Sequence, residues 1–334
     1  MTNLTFSTLI TQWSFDPLVV LGVALPAVLY GRGTIVTRQL LPAGHRRGPR
    51  AWKIALFYSS LALVLLALES PIDALAGSLM WAHMVQHLML IMLVAPLALL
   101  GDPALPVLRG LPSALRRRSL GSILRWRWLG LVGWALAWLA RPLPASITFT
   151  LTLWCWHWPP LYNLTLRNQG VHDLEHLMFI GTSLLLWSQV IDQTQFRCRM
   201  DYGKRALYMF SSAVQNHLLS VILAFATVPL YAYKALPYRP GGITALSDQQ
   251  IAGGIMWVPG MLMYGTAFSI FFFKWLKTQT LPSGVSSFAE LALLQGRALA
   301  PYTGEPGLPV PGGADLTPGG ANALPGPFAP ATHP

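Results

Sequence analysis

The sequence predicts an all-α fold, a polytopic membrane helix bundle of about seven transmembrane helices with its N-terminus outside and its C-terminus inside. Three observations carry this reading. Hydrophobic residues make up 53% of the chain and charged residues only 10%, against about 25% charged in an ordinary soluble domain. The apolar residues run in stretches long enough to cross a bilayer, which takes roughly 20 of them. The basic residues divide unequally between the two sets of loops that these stretches define.

Seven windows qualify, at about 12–31, 51–68, 79–100, 143–160, 172–191, 205–227 and 250–275. Glu69-Ser70-Pro71 and Gly101-Asp102-Pro103 punctuate two of the boundaries. Strand alternation is weak and the runs are long, which favours helices over a barrel. Met1 to Phe15 holds no Lys or Arg, unlike the usual cleaved signal peptide, so this stretch is expected to lead directly into the first span. Thirteen Trp suit the belts at membrane interfaces.

The net charge of +11 would suggest nucleic acid in a soluble protein. Here it reads as topology, because basic residues collect in cytoplasmic loops, and no nucleic-acid partner is expected. With the N-terminus outside, the first inner loop holds Arg32, Arg38, Arg46, Arg47, Arg50 and Lys53. The second holds Arg109, Arg116, Arg117, Arg118, Arg125, Arg127 and Arg141. The third holds Arg197, Arg199, Lys204 and Arg205, and Lys274, Lys277 and Arg297 follow the last span. Twenty basic residues thus lie inside, and only Arg167, Lys234 and Arg239 lie outside.

Trp128 to Ala140 is apolar but only 13 residues long, a length typical of interfacial or re-entrant segments. If it crossed, everything downstream would flip and the split would fall to 15 against 8. It is placed on the cytoplasmic face, with Trp126, Trp128, Trp134 and Trp138 among its anchors, and residue 165 then falls outside. Residues 1–278 form the transmembrane domain. Residues 279–334, rich in Pro, Gly and Ala, read as a disordered cytoplasmic tail, in which His333 is solvent-exposed.

Of eight histidines, five fall at the outer ends of spans. They sit in His83-Met84-Val85-Gln86-His87, Trp156-His157-Trp158 and His172-Asp173-Leu174-Glu175-His176. Ionisable side chains are costly in a bilayer and are a functional-site hypothesis by default. Residues i and i+4 share a helix face, so His83 with His87, and His172 with His176, each form a two-nitrogen clamp. His87 should lie ~6 Å deeper than His83 at ~1.5 Å rise per residue, giving a recessed site. A single pair has another explanation, as a snorkelling polar group or a tie between helices, and His157 among Trp154, Trp156 and Trp158 also suits the interfacial belt. Gln86, Asp73, Asp173 and Glu175 are candidates for orienting the rings from behind. His45 is an ordinary loop residue.

His217 lies midway along the sixth span beside Gln215 and Asn216, three consecutive polar residues that must face the bundle interior or a cavity. A hydrogen-bonded knot and a ligand or relay role are both open for it. The candidate metal ligands are therefore His83, His87, His157, His172, His176 and His217. The acids are too few and scattered for Ca²⁺ or Mg²⁺. Imidazole suits copper, zinc and iron, and thioether sulfur leans toward Cu(I). Met80, Met84, Met178, Met256, Met261 and Met263 lie near the motifs, although helical Met ordinarily packs the core. Cys155 and Cys198 fall on opposite sides of the membrane and are not expected to pair, and Cys155 is a poor chelating partner for His157 while both lie in one helix.

The order of these motifs resembles that of the seven-helix CtaG proteins of the caa3 oxidase type, cytochrome c oxidase assembly factors of bacterial inner membranes. The resemblance rests on His83-Met84-Val85-Gln86-His87 running into Ala95-Pro96-Leu97 and Gly101-Asp102-Pro103. Trp156-His157-Trp158-Pro159, His172-x3-His176, Gln215-Asn216-His217 and Asp248-Gln249-Gln250-x3-Gly254-x-Met256-Trp257 continue it. It covers roughly residues 15–275 and excludes the tail. Some members carry a fused copper-resistance-type membrane domain, for which this chain is too short. The resemblance implies a non-enzymatic copper handler or chaperone at the periplasmic face of the inner membrane, serving haem-copper oxidase subunits and receiving copper from periplasmic copper chaperones. Membrane lipid surrounds it, and its oligomeric state stays open. Two rivals are a b-type haem membrane oxidoreductase and a metal-dependent membrane hydroxylase or desaturase. The first wants ligands at both depths and the second an HxxHH box and cytosolic histidines; neither pattern is present. An ion transporter would want intramembrane acids, which the spans almost lack.

Overall fold

The computed structural model describes residues 12–40, 50–113, 127–194, 198, 200–235 and 242–280. The chain divides into two units, residues 1–280 and 281–334, and every described residue lies in the first. Residues 279 and 280 of the predicted tail end the last described helix, and the rest of the tail, with His333, lies outside the described residues, as does His45. Those described are helical or in turns, without a strand.

Five of the described helices are long and apolar enough to cross a membrane: Pro17–Gln39, Ala51–Leu68, Met80–Leu100, Tyr202–Ala224 and Ala245–Gln279. The fourth and fifth predicted crossings are also helices, but of different character. Pro142–Trp156 has only 15 residues, ~22 Å at 1.5 Å per residue. Gln169–Ser188 has 20 residues, yet its first two turns carry His172, Asp173, Glu175 and His176, which lowers its hydropathy. The apolar segment of the second inner loop forms the helix Arg127–Leu139, ~20 Å long against a hydrocarbon core of ~30 Å. It presents Leu131, Trp134 and Trp138 on its surface.

Local signals explain most helix ends. α1 (Pro17–Gln39) starts at Asp16, whose side chain accepts from Leu18 N–H at 2.7 Å, with Pro17 pre-set for the first helical position. The Glu69 carboxylate, at the end of α2 (Ala51–Leu68), accepts from the Asp16 N–H at 3.0 Å and ties the two helices together. Ser70 caps the short α3 (Pro71–Ala76).

α4 (Met80–Leu88) has no such signal. Its N-cap position is Leu79, and its first amides are taken by a residue 168 positions away: Asp248 accepts from Met80 N–H at 2.8 Å and from Trp81 N–H at 3.0 Å. A carboxylate at a helix N-terminus satisfies orphan donors and opposes the positive end of the dipole.

Beyond α4 the helix widens into a π turn, Met89–Val94, before α5 (Ala95–Leu100). Ala95 N–H bonds Leu90 O, five residues back. The next amide in that pattern would serve Ile91 O, but it belongs to Pro96, which has no N–H. The indole Nε1–H of Trp187 donates to Ile91 O instead, at 2.9 Å. π turns occur mostly as single insertions, often next to functional sites, and this one begins two residues after His87.

At the opposite end, α6 (Ala104–Gly110) lies against α1 through two glycines. A Cβ on Gly33 would stand 1.7 Å from Pro106 O, and one on Gly110 would stand 1.9 Å from Leu29 O, so neither position accepts a side chain. Asp102 precedes this helix with φ of 54°, a left-handed conformation that Asp tolerates better than most residues. Its carboxylate accepts from Lys53 Nζ at 2.8 Å, from Thr194 N–H at 3.2 Å and from the Thr194 hydroxyl.

α7 (Arg127–Leu139), α8 (Pro142–Trp156), α9 (Pro159–Thr165) and α10 (Gln169–Ser188) follow. α11 (Tyr202–Ala224) then packs along α12 (Ala245–Thr280). The main core runs between α4, α5, α8, α10, α11 and α12, around Met84, Phe149, Leu153, Phe179, Leu186 and Met209.

Trp187→Phe keeps a ring against Tyr264 but leaves Ile91 O unpaired, at a cost of about 1–3 kcal/mol; the unfolding midpoint in mixed micelles is expected to fall, and an unchanged midpoint would show the indole bond to be dispensable. Burial pushes the Asp102 carboxyl up, but its bonds to Lys53 and Thr194 outweigh this and hold it below the ordinary carboxylate value. A carboxyl with a lowered folded pKa adds stability above its unfolded pKa of ~3.9, and loses it as pH falls through the folded value. Asp102→Asn is therefore expected to destabilise the protein by about 1.5–3 kcal/mol at pH 7, with the gap to wild type closing only under acid conditions.

Candidate metal centre

The first turns of α4 and α10 and the end of α8 meet at one end of the bundle. His83 and His87 lie one turn apart on α4, with ring centroids 4.3 Å from each other. His172 and His176 do the same on α10, at 4.2 Å. The two pairs face across the helix interface: His83 is 5.1 Å from His172, and His87 is 5.6 Å from His176. His157 completes the set at 6.0 Å from His87. All except His172 are buried. His172 sits nearest solvent, with Gln169 3.5 Å from its Nδ1. The Phe179 ring lies 4.5 Å from His87, tilted against it, and gives that side of the site an apolar wall.

Glu175 is at the centre, with 0% exposure. Its carboxylate oxygens lie 3.4 Å from His83 Nε2 and 3.5 Å from His87 Nε2. It is thus a candidate donor in its own right, beyond the supporting role its place in the motif suggested. Neither carboxylate oxygen has a hydrogen-bond partner, and the same holds for His83 Nε2, both nitrogens of His87 and His176 Nε2. Buried polar atoms are ordinarily satisfied. A convergence of this many polar atoms with no hydrogen bonds among them is what a cation would satisfy.

Two groups have donor atoms within 4.8 Å of one another: His83, His172 and His176, and His83, His87 and Glu175. Bonds of ~2.0–2.2 Å place two ligands of one ion at most ~4.4 Å apart, so these donors would close in by a few tenths of an ångström around an ion. His83 belongs to both groups and is the pivot.

Gln86 does not orient a ring. Its amide donates to Ala67 O and to Asp73 Oδ1, each at 2.8 Å, joining α4 to α2 and α3. Burial pushes the Asp73 carboxyl up, opposed by the Gln86 bond and reinforced by Glu69 and Asp173.

His157 ends α8. Trp158 before Pro159 is extended, as a residue preceding proline prefers. Cys155, still within α8, is exposed at the surface. Cys198 contacts the Gln189 carbonyl.

Three tyrosines close the site above the rings. Tyr162 is 5.2 Å from His83 and packs at a tilt against Tyr231, 4.2 Å between ring centroids. Tyr231 donates to His157 O at 2.8 Å, and Tyr233 to Ala76 O at 2.7 Å. Gln249 holds the segment by accepting from Leu230 N–H at 2.7 Å. Burial pushes the phenols of Tyr231 and Tyr233 well up, so both stay hydrogen donors. Sequence reasoning missed this roof; the Tyr231-Ala232-Tyr233 repeat just after a proline was the available signal.

His217 is not brought into the cluster. Its ring meets Trp257 edge-on at 4.8 Å. Its neighbours are tied structurally: Gln215 accepts from Trp154 Nε1 at 3.2 Å, and Asn216 donates to Met256 O at 3.3 Å. The polar triplet is spread around α11 at 100° per residue, so its members reach three different neighbours. Of the expected methionines, Met84 lies against an imidazole, its Sδ 3.4 Å from His157 Nε2. Met80 and Met256 are core residues, and Met178 and Met261 face outward.

The chain is 24% identical over 258 residues to uncharacterised proteins of Mycobacterium bovis and Mycobacterium tuberculosis, an overlap of 76% of this chain and 38% of the relatives. A Mycobacterium leprae protein, also uncharacterised, is 24% identical over 263 residues, 74% of this chain and 37% of its own. The chain therefore spans less than two fifths of the length of these relatives. No solved structure matches it significantly. Residues 28–278, the whole stretch that builds the histidine–glutamate site, match the family described as cytochrome c oxidase caa3 assembly factor (Caa3_CtaG), and the chain belongs to that family.

Proposed function

We propose that this protein is a membrane-embedded assembly factor that binds copper at the outer ends of its helices and hands it on during maturation of a haem-copper oxidase. The observation that carries this reading is the convergence of His83, His87, His172, His176 and Glu175, in which buried donor atoms of His83, His87, His176 and Glu175 lack hydrogen-bond partners. Family membership supplies the oxidase, and the chemistry of the donors supplies the metal. Imidazole nitrogen with a carboxylate suits a borderline transition metal rather than Ca²⁺ or Mg²⁺. The separations of 4.2 to 6.0 Å between rings suit one small ion rather than a planar macrocycle, which favours metal over haem.

Seven crossings, with the N-terminus outside, follow if the helices Pro142–Trp156 and Gln169–Ser188 complete the five. They carry the site's polar residues inward against α4 rather than toward lipid, so modest hydropathy does not bar them. The basic loops then lie in the cytoplasm and the imidazoles face the periplasm of a bacterial inner membrane. Neutral imidazoles and a single carboxylate bind without the irreversibility of a thiolate cage, which suits transfer. His217 is assigned a structural place and no metal, and the role is non-catalytic.

Anaerobic metal analysis of the purified chain tests the site. Wild type is expected to retain copper and His83→Asn/His87→Asn to lose it, together with copper in the oxidase of cells carrying that variant. Equal copper in the two proteins would refute the site. For topology, Thr165 is buried, so the exposed Asn168 beside it is the position to label. In a Cys155→Ser/Cys198→Ser background, Asn168→Cys is expected to react with a membrane-impermeant thiol reagent from the periplasmic side. Reaction only after the inner membrane is opened would reverse the orientation.

A further inference from the structure

We infer that Met84 and His157 form a second metal site, selective for a soft monovalent cation such as Cu(I) or Ag(I), beside the nitrogen–oxygen cluster. His157 Nδ1 lies 2.8 Å from Leu153 O. A carbonyl oxygen only accepts, so this nitrogen carries the hydrogen, and in the neutral ring Nε2 holds a bare lone pair. That nitrogen lies 3.4 Å from Met84 Sδ, a thioether with no hydrogen to give. Two lone-pair donors thus face each other with no proton to bridge them. Both are sealed from water, with Met84 at 0% and His157 at 4% exposure.

The pair is held in place from outside. His157 is the C-cap of α8, and its carbonyl accepts from the Tyr231 hydroxyl. Met84 follows His83 on α4 and, turned ~100° from it, faces α8 while His83 and His87 face α10. Tyr162 and Phe179, each 6.4 Å from the His157 ring, line the place with low-polarity surface, which disfavours a divalent charge more than a monovalent one. Thioether with imidazole is a donor set for Cu(I) rather than for Zn²⁺. His157 belongs to neither of the two nitrogen–oxygen groups. His87, 6.0 Å from His157 and 4.3 Å from His83, stands between the two sites and would let an ion pass from one to the other.

The inference rests on the preceding reading only in placing metal at this end of the bundle, and the two can fail separately. Purified full-length protein is dialysed anaerobically against Ag(I), a redox-inert soft probe, and in parallel against Zn²⁺. Wild type is expected to bind both. Met84→Leu, a volume-conserving change, and His157→Phe are each expected to weaken Ag(I) binding at least tenfold while leaving Zn²⁺ uptake unchanged, and the unchanged uptake shows the fold intact. His83→Asn/His87→Asn is expected to do the reverse. X-ray absorption on the Ag(I) form should show a sulfur neighbour in wild type that Met84→Leu lacks. Ag(I) binding that is absent from wild type, or unaffected by both single variants, overturns the soft site. Loss of both ions in both single variants overturns it as well, because the donors would then form one site. Zn²⁺ binding that survives His83→Asn/His87→Asn overturns the nitrogen–oxygen cluster and leaves the soft site standing.

Discussion

A carboxylate with no access to water, set between imidazoles, is the constraint around which this bundle closes. Transfer of an ionised carboxylate into an apolar interior is prohibitive unless a positive charge or several hydrogen bonds compensate. Glu175 has no hydrogen bond to either oxygen, only His83 and His87 at 3.4 and 3.5 Å. The helices carrying these groups must therefore meet at one register, since a slip of one residue on α10 would turn Glu175 ~100° away and place Asp173 or His176 elsewhere. A bound cation would relieve the cost and lock that register, coupling metal occupancy to the packing of α4 against α10.

The surroundings show the same accounting of polar groups across long sequence distances. The amides at the start of α4 are satisfied by Asp248. The carbonyl freed by Pro96 in the π turn is satisfied by Trp187. The roof over the rings is held by Tyr231, Tyr233 and Gln249. These bonds come from α10, from α12 and from the segment that precedes α12, so the walls of the site come from several parts of the bundle rather than from one hairpin. In an interior without water such bonds have no substitute, which makes the site rigid at its edges. The unpartnered atoms are confined largely to the place where an ion would sit.

The proposed handling of copper follows from contrast in donor chemistry within a small space. Nitrogen and oxygen donors gather on the side of α4 that faces α10, and a nitrogen–sulfur pair lies on the side that faces α8. Neighbouring residues on α4, His83 and Met84, thus point to two kinds of ligand field. Neither contains thiolate: Cys155 faces outward and Cys198 contacts Gln189. Release to a partner is chemically reasonable from such donors.

Much of this was legible in the sequence. Long apolar runs and the low share of charge determine an α-helical membrane protein, because lipid satisfies no backbone group and helices satisfy their own. The basic loops suggest which ends of the helices lie together, and i, i+4 spacing on α4 and α10 places each histidine pair on one face. Those are local rules with a fixed period. The partner across an interface has no period to read. That Glu175 is a central donor, that Met84 rather than Met80 meets His157, that His217 turns to Trp257, and that Asp248 caps a helix 168 residues away were decided by how the helices pack. Rotation of a helix about its own axis, set by close packing over its whole length, determines which of several equally plausible side chains points into the site.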